Sequence, residues 1–421
     1  MTKKTILTMS DHPLSPSGVG TQTNYVLKAL LETGRYRVIS LGGAIKHVDY
    51  TPQKISPYED DWTVFPIDGY GSPEVLRSIL RTERPDLVWF MTDPRFYQWL
   101  WEMEDEVRSL CPMLYYHVWD NYPYPKFNKV WYDSNDVIAS ISKVTHDIVQ
   151  TVAPDVDSHY VPHAVAENVF RPLAPEHIAE FANEILRDGD NWRDKVTFFW
   201  NNRNARRKQS GSLICWFKDF LDIVGHDKAR LIMHTDPKDP NGQDLTAIMN
   251  NLGLVNGEVY LSTQKVPPEQ MALYYNMADC TINISDAEGF GLATLESLSC
   301  ATPIIVNMTG GLQEQVTDGE SWFGIGLEPT SKAIIGSQQV PYIYEDRLDA
   351  ASVVGALQKM YEMTPEERAT LGLQGRNHVQ ANYGFDSFQK KWVDLVDQTI
   401  EKYGSWETRK GYKAWDFMEI K

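Results

Sequence analysis

Short apolar runs alternate with amphipathic stretches along most of the chain, a pattern that is typical of β-α-β units and parallel sheets. The segment from Thr21 to Glu32 has helical spacing, and Gly34 fits the glycine that commonly ends a helix. In the first half, the runs that predict strands are TILTMS, YRVISL, TVFPI, DLVWFM, MLYYHV, DVIASI and HYVPH. We therefore expect a doubly wound α/β domain over residues 1–170.

The alternation stops around residues 171–193, which are polar and charged and which we interpret as a linker. A second α/β domain is expected over residues 171–385, and helices are expected from about Leu348 onward, ending with the segment 386–421. The runs that predict strands in this half are VTFFWNN, RLIMHT, VYLST, CTINIS, TPIIVN and SWFGIG. In such sheets ligands bind at the carboxyl ends of the strands, so chemistry is expected on strand-to-helix loops.

The composition and charge of the chain limit the classes of function that it can have. The chain has 421 residues, of which 42% are hydrophobic, enough for two cores. Its net charge of −17 disfavours a partner such as duplex DNA or an anionic membrane. No apolar run approaches the roughly 18 residues of a membrane span, and the N-terminal stretch lacks the long apolar region of a signal peptide. With four scattered cysteines, these features predict a cytoplasmic protein without disulfides or a cysteine metal site.

The stretch SDAEGFGLATLE lies between a predicted strand and a predicted helix, Leu292–Ser299. Its glycines allow close approach of the backbone to a ligand, and the following helix start can bind phosphate. For a nucleotide-diphospho-sugar, Glu296 would accept hydrogen bonds from the ribose diol and Glu288 would hold sugar hydroxyls. The alternative is a solvated loop residue at 288 and an acid that favours the helix dipole at 296.

A basic cluster, NNRNARRKQ, follows the first predicted strand of the second half. Arg203 and Lys208 would there compensate the charge of a departing diphosphate. A solvated basic loop is the alternative, but the cluster lies at a strand's carboxyl end in an acidic chain.

Arg203-x4-Lys208 followed by Glu288-x7-Glu296, in the second of two Rossmann-like halves, resembles the retaining GT-B glycosyltransferases of the family 4 type. The segments YVPHAVAENVFRP and ATPIIVNMTGGLQEQVTDGESWFG are similar to the family's domain crossover and to the segment after its acidic motif. The resemblance implies two Rossmann-like domains facing across a cleft, with the C-terminal helix from Phe385 crossing back to the first domain. It also implies transfer of a hexose-type sugar from a nucleotide-diphospho-sugar to an acceptor hydroxyl, without a metal or other cofactor.

The resemblance also implies roles for further residues. Backbone N–H groups around Phe290, Gly291 and Leu292 would hold phosphate or sugar oxygens. The loop with Gly18 and Gly20, which the sequence predicts to be a flexible turn before a helix capped near Thr21, is similar to the family's glycine loop that faces the donor phosphates or the acceptor.

Four further residues are candidates in the first half. His117 matches the family histidine that approaches the donor sugar, although a lone histidine at a strand end is often structural. Asp120 is a weaker candidate for holding an acceptor hydroxyl, and Trp119 and Tyr122 are candidates to line an acceptor groove within an aromatic-rich region.

The acceptor's identity is left open. We expect a carbohydrate or glycoconjugate, with nucleic acid disfavoured by the acidic charge. His234 and Asp236 lack a third residue at metal-ligand spacing, so no metal site is expected. A GT-B epimerase acting on the nucleotide-sugar alone and a non-catalytic sugar-nucleotide-binding protein are the alternative functions.

Overall fold

The computed structural model describes residues 2–186 and 189–415. The chain forms two compact units. The first contains the described residues up to Asp120, the range Tyr124–Ala164, and the described residues from Asp386 onward. The second contains Asn121–Pro123 and the described residues of Val165–Phe385. Each unit is built on a mainly parallel sheet, which confirms the predicted pair of Rossmann-like α/β domains.

Unit 1 has an eight-stranded sheet in the order β3-β4-β2-β1-β5-β6-β7-β8, parallel except for the edge strand β3. Strands β5 and β6 are almost wholly buried, mainly apolar runs, and six of the eight residues of β1 are buried, as expected where helices cover both faces of a parallel sheet. The strands are β1 (Lys4–Asp11), β2 (Tyr36–Gly43), β3 (Gln53–Ile55), β4 (Glu59–Pro66), β5 (Leu87–Met91), β6 (Met113–His117), β7 (Val137–Ser140) and β8 (Asp157–Tyr160). The helices are α1 (Gly18–Leu31), α2 (Pro73–Glu83), α3 (Gln98–Trp101), α4 (Glu104–Arg108), α5 (Lys129–Asp133) and α6 (Lys143–Val152).

Unit 2 has a six-stranded parallel sheet in the order β11-β10-β9-β12-β13-β14 and a separate antiparallel hairpin, β15–β16. The strands are β9 (Val196–Asn201), β10 (Ala229–His234), β11 (Val259–Ser262), β12 (Cys280–Asn283), β13 (Ile304–Asn307), β14 (Gly324–Leu327), β15 (Ser331–Ile335) and β16 (Ile343–Arg347). The helices are α7 (Pro175–Leu186), α8 (Ser210–Val224), α9 (Leu245–Leu252), α10 (Pro268–Met277), α11 (Leu292–Ser299), α12 (Leu312–Val316), α13 (Ala350–Glu362) and α14 (Pro365–Asn382).

The segment interpreted as a linker is largely a helix, so that prediction was wrong. Helix α7 buries Phe181 and Leu186, and the Phe181 ring packs edge-on against Tyr274 at a centroid distance of 4.8 Å. Its apolar positions at helical spacing were outweighed in the sequence by the surrounding charges.

The last helix, α15 (Phe385–Tyr403), packs on unit 1 through an apolar stripe. The Trp392 ring is fully buried and lies edge-on to Tyr116 at 4.7 Å and to Trp89 at 5.9 Å. Among the described residues, no helix is both long enough and apolar enough to cross a membrane.

Candidate functional site

The strand order of unit 2 reverses between β9 and β12. The chain runs outward from β9 to β10 and β11, then returns to the other side of β9 with β12. In a doubly wound sheet, this point leaves a crevice at the carboxyl ends of the two strands, where ligands bind. The loop after β9 carries Arg203 and Lys208, and the loop after β12 carries Glu288. The structure therefore brings the two motifs together although about 80 residues separate them.

Lys208 and Glu288 form an ion pair through Nζ and Oε2. Both side chains are largely buried, with exposed fractions of 8% and 13%. Burial alone would raise the pKa of Glu288, but Lys208 and then Arg207, whose Nη1 lies 3.9 Å from Oε2, lower it to about 2. Glu288 is therefore ionised at neutral pH, and the solvated-loop alternative does not describe it.

Arg203 makes a two-point contact with Asp239. Its Nε and Nη2 lie 2.6 and 3.2 Å from the two carboxylate oxygens, while much of the guanidinium remains exposed. Asp239 also accepts a hydrogen bond from the backbone N–H of Asn241, so the turn after β10 anchors the arginine. The pKa of Asp239 is lowered, first of all by the hydrogen bond from Arg203. The ion pair thus fixes where the cation stands.

Glu296 lies in the second turn of α11, on the same loop and helix as Glu288. The Tyr275 hydroxyl donates to its Oε2 at 2.7 Å and accepts from Asn201 Nδ2 at 2.9 Å, at the end of β9. Burial raises the pKa of Glu296 to about 7, against the lowering effect of the Tyr275 hydrogen bond. The sequence analysis missed Tyr275 and Asn201, because neither stands in a motif.

Phe290, Gly291 and Leu292 form the start of α11, whose bounds agree with the predicted helix Leu292–Ser299. Gly291 has φ +93°, a backbone conformation that favours glycine. The side-chain amide of Gln315 donates to the carbonyl oxygens of Phe290 and Gly291, at 2.7 and 3.1 Å, and thereby holds the helix start in place.

The turn after β13 packs backbone to backbone on the same loop. The Gly311 N–H donates to the Glu288 carbonyl at 3.1 Å, and a Cβ on Gly310 would overlap that carbonyl oxygen. The Gly-Gly pair in the segment NMTGGLQ was the available sequence signal for this contact.

Gly18 and Gly20 lie in the first turn of α1, not in a flexible turn before it, so that prediction was wrong. The cap is Ser17, four residues before the predicted Thr21, and its Oγ accepts from the Gly20 N–H at 2.9 Å. A Cβ on Gly20 would lie only 2.8 Å from the carbonyl oxygen of Ser15, so the helix start needs a glycine there.

His117 ends β6 and is fully buried within unit 1. Its Nε2 hydrogen-bonds to the Tyr132 hydroxyl at 2.7 Å, and burial lowers its pKa to about 3, so the imidazole is neutral. These surroundings fit a structural role for His117, which was the alternative to contact with the donor sugar. The contact with the donor sugar stays a prediction.

The three remaining candidates fall in different units. Asp120 and Trp119 belong to unit 1, where Trp119 is buried with its ring edge-on to Phe127 at 5.8 Å. Tyr122 belongs to unit 2, where Lys332 Nζ lies 5.2 Å from the centroid of its ring. An acceptor role for each stays a prediction.

Within the described ranges, no group of three or more His, Cys, Asp or Glu side chains is arranged to hold a metal ion. The Nδ1 atom of His234, one of the residues considered as a ligand, hydrogen-bonds to Ser262 Oγ at 2.9 Å.

Comparison with protein-family models places one match on unit 2. Residues 222–368 match the model described as glycosyl transferases group 1. The matched segment contains Glu288 and Glu296 and begins after Arg203 and Lys208.

Two curated relatives match shorter parts of the chain. D-inositol 3-phosphate glycosyltransferase of Acidothermus cellulolyticus is 38% identical over 77 residues, 18% of this chain and 17% of that protein. Alpha-monoglucosyldiacylglycerol synthase of Streptococcus pneumoniae is 27% identical over 186 residues, 44% of this chain and 40% of that protein. The chain thus matches less than half the length of either relative.

Solved structures match nearly the whole chain. Sucrose-phosphate synthase from Thermosynechococcus elongatus has a TM-score of 0.73 at 18% identity, covering 95% of this chain and 100% of that one. The Anabaena protein HepE, solved in complex with UDP and glucose, has a TM-score of 0.69 at 13% identity, covering 94% and 100%. At these identities the likeness concerns the fold.

Proposed function

We propose, from the premise that this chain has the GT-B fold and carries a group 1 glycosyl transferase segment, that it is a retaining glycosyltransferase. The donor would be a nucleotide-diphospho-sugar and the acceptor a hydroxyl group of a carbohydrate or glycoconjugate. The observation that carries the proposal is the Lys208–Glu288 pair at the topological switch point, with Glu296 in the second turn of the helix that follows. HepE, which shares the fold, is solved with UDP and glucose, which favours a UDP-sugar as the first donor to test.

The site offers a distinct group to each part of such a donor. Glu296 would accept hydrogen bonds from the ribose diol, and Glu288 from hydroxyls of the sugar. Arg203 and Lys208 would neutralise the diphosphate as it leaves. An ammonium group has three N–H donors, so Lys208 can keep its bond to Glu288 while it donates to a phosphate oxygen.

The reaction would proceed on one face of the sugar ring. The bond between the anomeric carbon and the phosphate oxygen breaks, positive charge develops on the ring, and the acceptor oxygen bonds to the same face. The leaving phosphate oxygen takes the acceptor's proton, so no separate general base is required. Fixed cations beside the leaving group stabilise the charge that develops on it, and we propose that no metal is needed.

The first experiment measures donor binding and then turnover. A panel of nucleotide-diphospho-sugars is screened for an increase in melting temperature, since a ligand that binds only the folded state stabilises it. With the best donor, Arg203→Ala and Lys208→Ala are each expected to lower turnover by about two to three orders of magnitude, through loss of a charge-stabilising donor.

Lys218→Ala is the matched control, because Lys218 pairs with Asp222 on the surface of α8. Wild-type turnover in both Arg203→Ala and Lys208→Ala would remove the proposed leaving-group role. Incubation without acceptor identifies an epimerase by epimerisation of the donor sugar. A donor-hydrolysis assay tests the other alternative, because a binding protein would bind the donor without cleaving its glycosidic phosphate bond.

A further inference from the structure

Three consecutive charged residues end strand β16 beside the candidate donor site: Glu345, Asp346 and Arg347, called here the β16 triplet. Glu345 and Asp346 have exposed fractions of only 1% and 6%. The triplet belongs to the β15–β16 hairpin, which lies outside the six-stranded sheet. Buried charges need partners. The Asp346 carboxylate pairs with Lys332 of the same hairpin and accepts a hydrogen bond from Thr309, whereas Glu345 and Arg347 contact the two motif loops.

The first set of contacts reaches the loop that carries Glu288. Arg347 Nη1 lies 3.0 Å from Asp286 Oδ2, and the Asp346 N–H donates to the Asp286 carbonyl at 2.9 Å. The side-chain amide of Asn307 donates to the carbonyl oxygens of Asp346 and Ser285, each at 2.9 Å. Asp286 stands two positions before Glu288, so these bonds hold the base of that loop.

The second set of contacts reaches the loop that carries Lys208. Arg206 donates to both oxygens of Glu345, at 2.8 and 2.6 Å. Arg347 Nη2 donates to the same Glu345 carboxylate at 2.7 Å. The four side chains Arg206, Glu345, Arg347 and Asp286 therefore form one continuous chain of alternating charge.

We infer that the β16 triplet is a positioning device for the donor site, in which Glu345 and Arg347 set the separation of Lys208 and Glu288. Arg206 stands two residues before Lys208, as Asp286 does before Glu288, so the ionic chain connects equivalent points of the two loops. The carboxylates of Glu345 and Asp286 are almost fully buried and Arg347 is 29% exposed, whereas Arg206 is 57% exposed. Low exposure strengthens the pairs that Arg347 makes, and removing Arg347 leaves the buried Asp286 carboxylate without its cation. This inference rests on the function proposed above.

The charge around Asp286 gives the device a measurable signature. Burial raises the pKa of Asp286 to about 6, and the negative charge of Glu345 adds to this increase. The increase is opposed by a hydrogen bond from Gln209 and by the positive charges of Arg347 and Arg206. Above pH 6 the carboxylate is ionised and pairs with Arg347. As the pH falls through 6 it gains a proton and the pair is lost, so turnover is expected to have an acid limb near pH 6.

The test compares Arg347→Met, Arg347→Lys and Asp286→Asn with the wild-type enzyme. Turnover is expressed per UDP-binding site, counted by calorimetric titration, so that misfolded molecules do not contribute. Arg347→Met is expected to lower kcat by about tenfold to a hundredfold, because a displacement of reacting groups by about 1 Å costs up to a hundredfold. Arg347→Lys is expected to restore part of the loss. Asp286→Asn is expected to lower kcat and to remove the acid limb.

The double variant Arg347→Met with Asp286→Asn is expected to be no slower than the slower single variant, because both changes break one chain. Ile334→Ala, an exposed position on β15 of the same hairpin, is the control that keeps wild-type turnover. Wild-type kcat and pH profile in both single variants, or fully additive losses in the double variant, would overturn the inference. These outcomes leave the proposed function standing, whereas failure of every nucleotide-diphospho-sugar in the panel to bind the wild type would defeat the proposed function itself.

Discussion

The pKa values of Glu288, in the loop after β12, and Glu296, in the helix that follows, are shifted in opposite directions. Cations around Glu288 lower its pKa to about 2 although it is largely buried, whereas burial raises the pKa of Glu296 to about 7. Environments that separate the pKa values of neighbouring carboxyl groups commonly assign them different tasks. The difference agrees with the two proposed roles, because Glu288 pairs with Lys208, a cation proposed to stabilise the leaving group, whereas Glu296 accepts from the neutral hydroxyl of Tyr275.

The proposed ribose role of Glu296 predicts that nucleotide binding depends on pH. The ribose hydroxyls would donate to the ionised carboxylate, so affinity for UDP is expected to be highest above pH 7 and to fall as the pH decreases through 7. At one pH unit below the pKa about a tenth of the groups remain ionised, which limits the effect to about tenfold. Calorimetric titration with UDP from pH 6 to 8 measures it.

Glu296→Gln is expected to bind UDP more weakly and to lose this dependence. Glu269→Gln, at an exposed position on α10, is the control. Its pH profile of UDP affinity also contains the titration of the UDP phosphate itself, so the comparison isolates the contribution of Glu296. A Glu296→Gln profile with the same slope and affinity as that of the control would contradict the ribose assignment.

At the scale of elements, the site consists of strand-to-helix loops that support one another. The turn after β13 approaches the Glu288 loop so closely that its two glycines leave no room for side chains. Gly310 has φ +49° and Gly311 donates to the Glu288 carbonyl. The position of the Glu288 carboxylate therefore depends on a turn more than 20 residues away in sequence.

Gly310→Ala is expected to displace the Glu288 loop and to lower turnover by about tenfold or more, because the added Cβ overlaps a backbone oxygen and the positive φ is strained. Melting temperature and kcat are measured together. Gly355→Ala in the middle of α13, where a Cβ meets nothing within 4 Å, is the control and is expected to stabilise the protein by about 0.5–1 kcal/mol. Unchanged kcat in Gly310→Ala would show that the turn does not set the position of Glu288.

At the scale of the whole molecule, the two ends of the sequence form one folding unit. Helix α15 completes unit 1 by covering Trp89 and Tyr116, which lie on β5 and β6, with Trp392. Unit 1 therefore requires residues separated by almost the full length of the chain. The chain must return from unit 2 before the core of unit 1 is closed.

Trp392→Ala is expected to destabilise unit 1 by about 3–5 kcal/mol, the usual cost of deleting a fully buried tryptophan. Differential scanning calorimetry measures the change, and near-UV circular dichroism identifies which aromatic environment is lost. Trp322→Ala, at a tryptophan that is 48% exposed, is the control with a small expected effect. A loss in Trp392→Ala no larger than in that control would mean that α15 contributes little to the stability of unit 1.

The sequence by itself determined the two parallel sheets, the helix Leu292–Ser299 that carries Glu296, and the loops that carry Arg203, Lys208 and Glu288. These features follow from local periodicity, since a buried parallel strand is a short apolar run and a helix after it begins at glycines. The same reasoning failed at α7, whose apolar face was hidden among charges, and at α1, whose cap Ser17 stands before two glycines.

Only the tertiary structure decided which charges meet. The partners Lys208 and Glu288 are 80 residues apart, Arg206 and Glu345 are 139 apart, and Asn121–Pro123 belongs to the second unit although its neighbours belong to the first. Periodicity reports only whether a side chain is buried or exposed. Which distant group compensates a buried charge depends on strand order, because the order β9-β12-β13 sets which loops lie side by side.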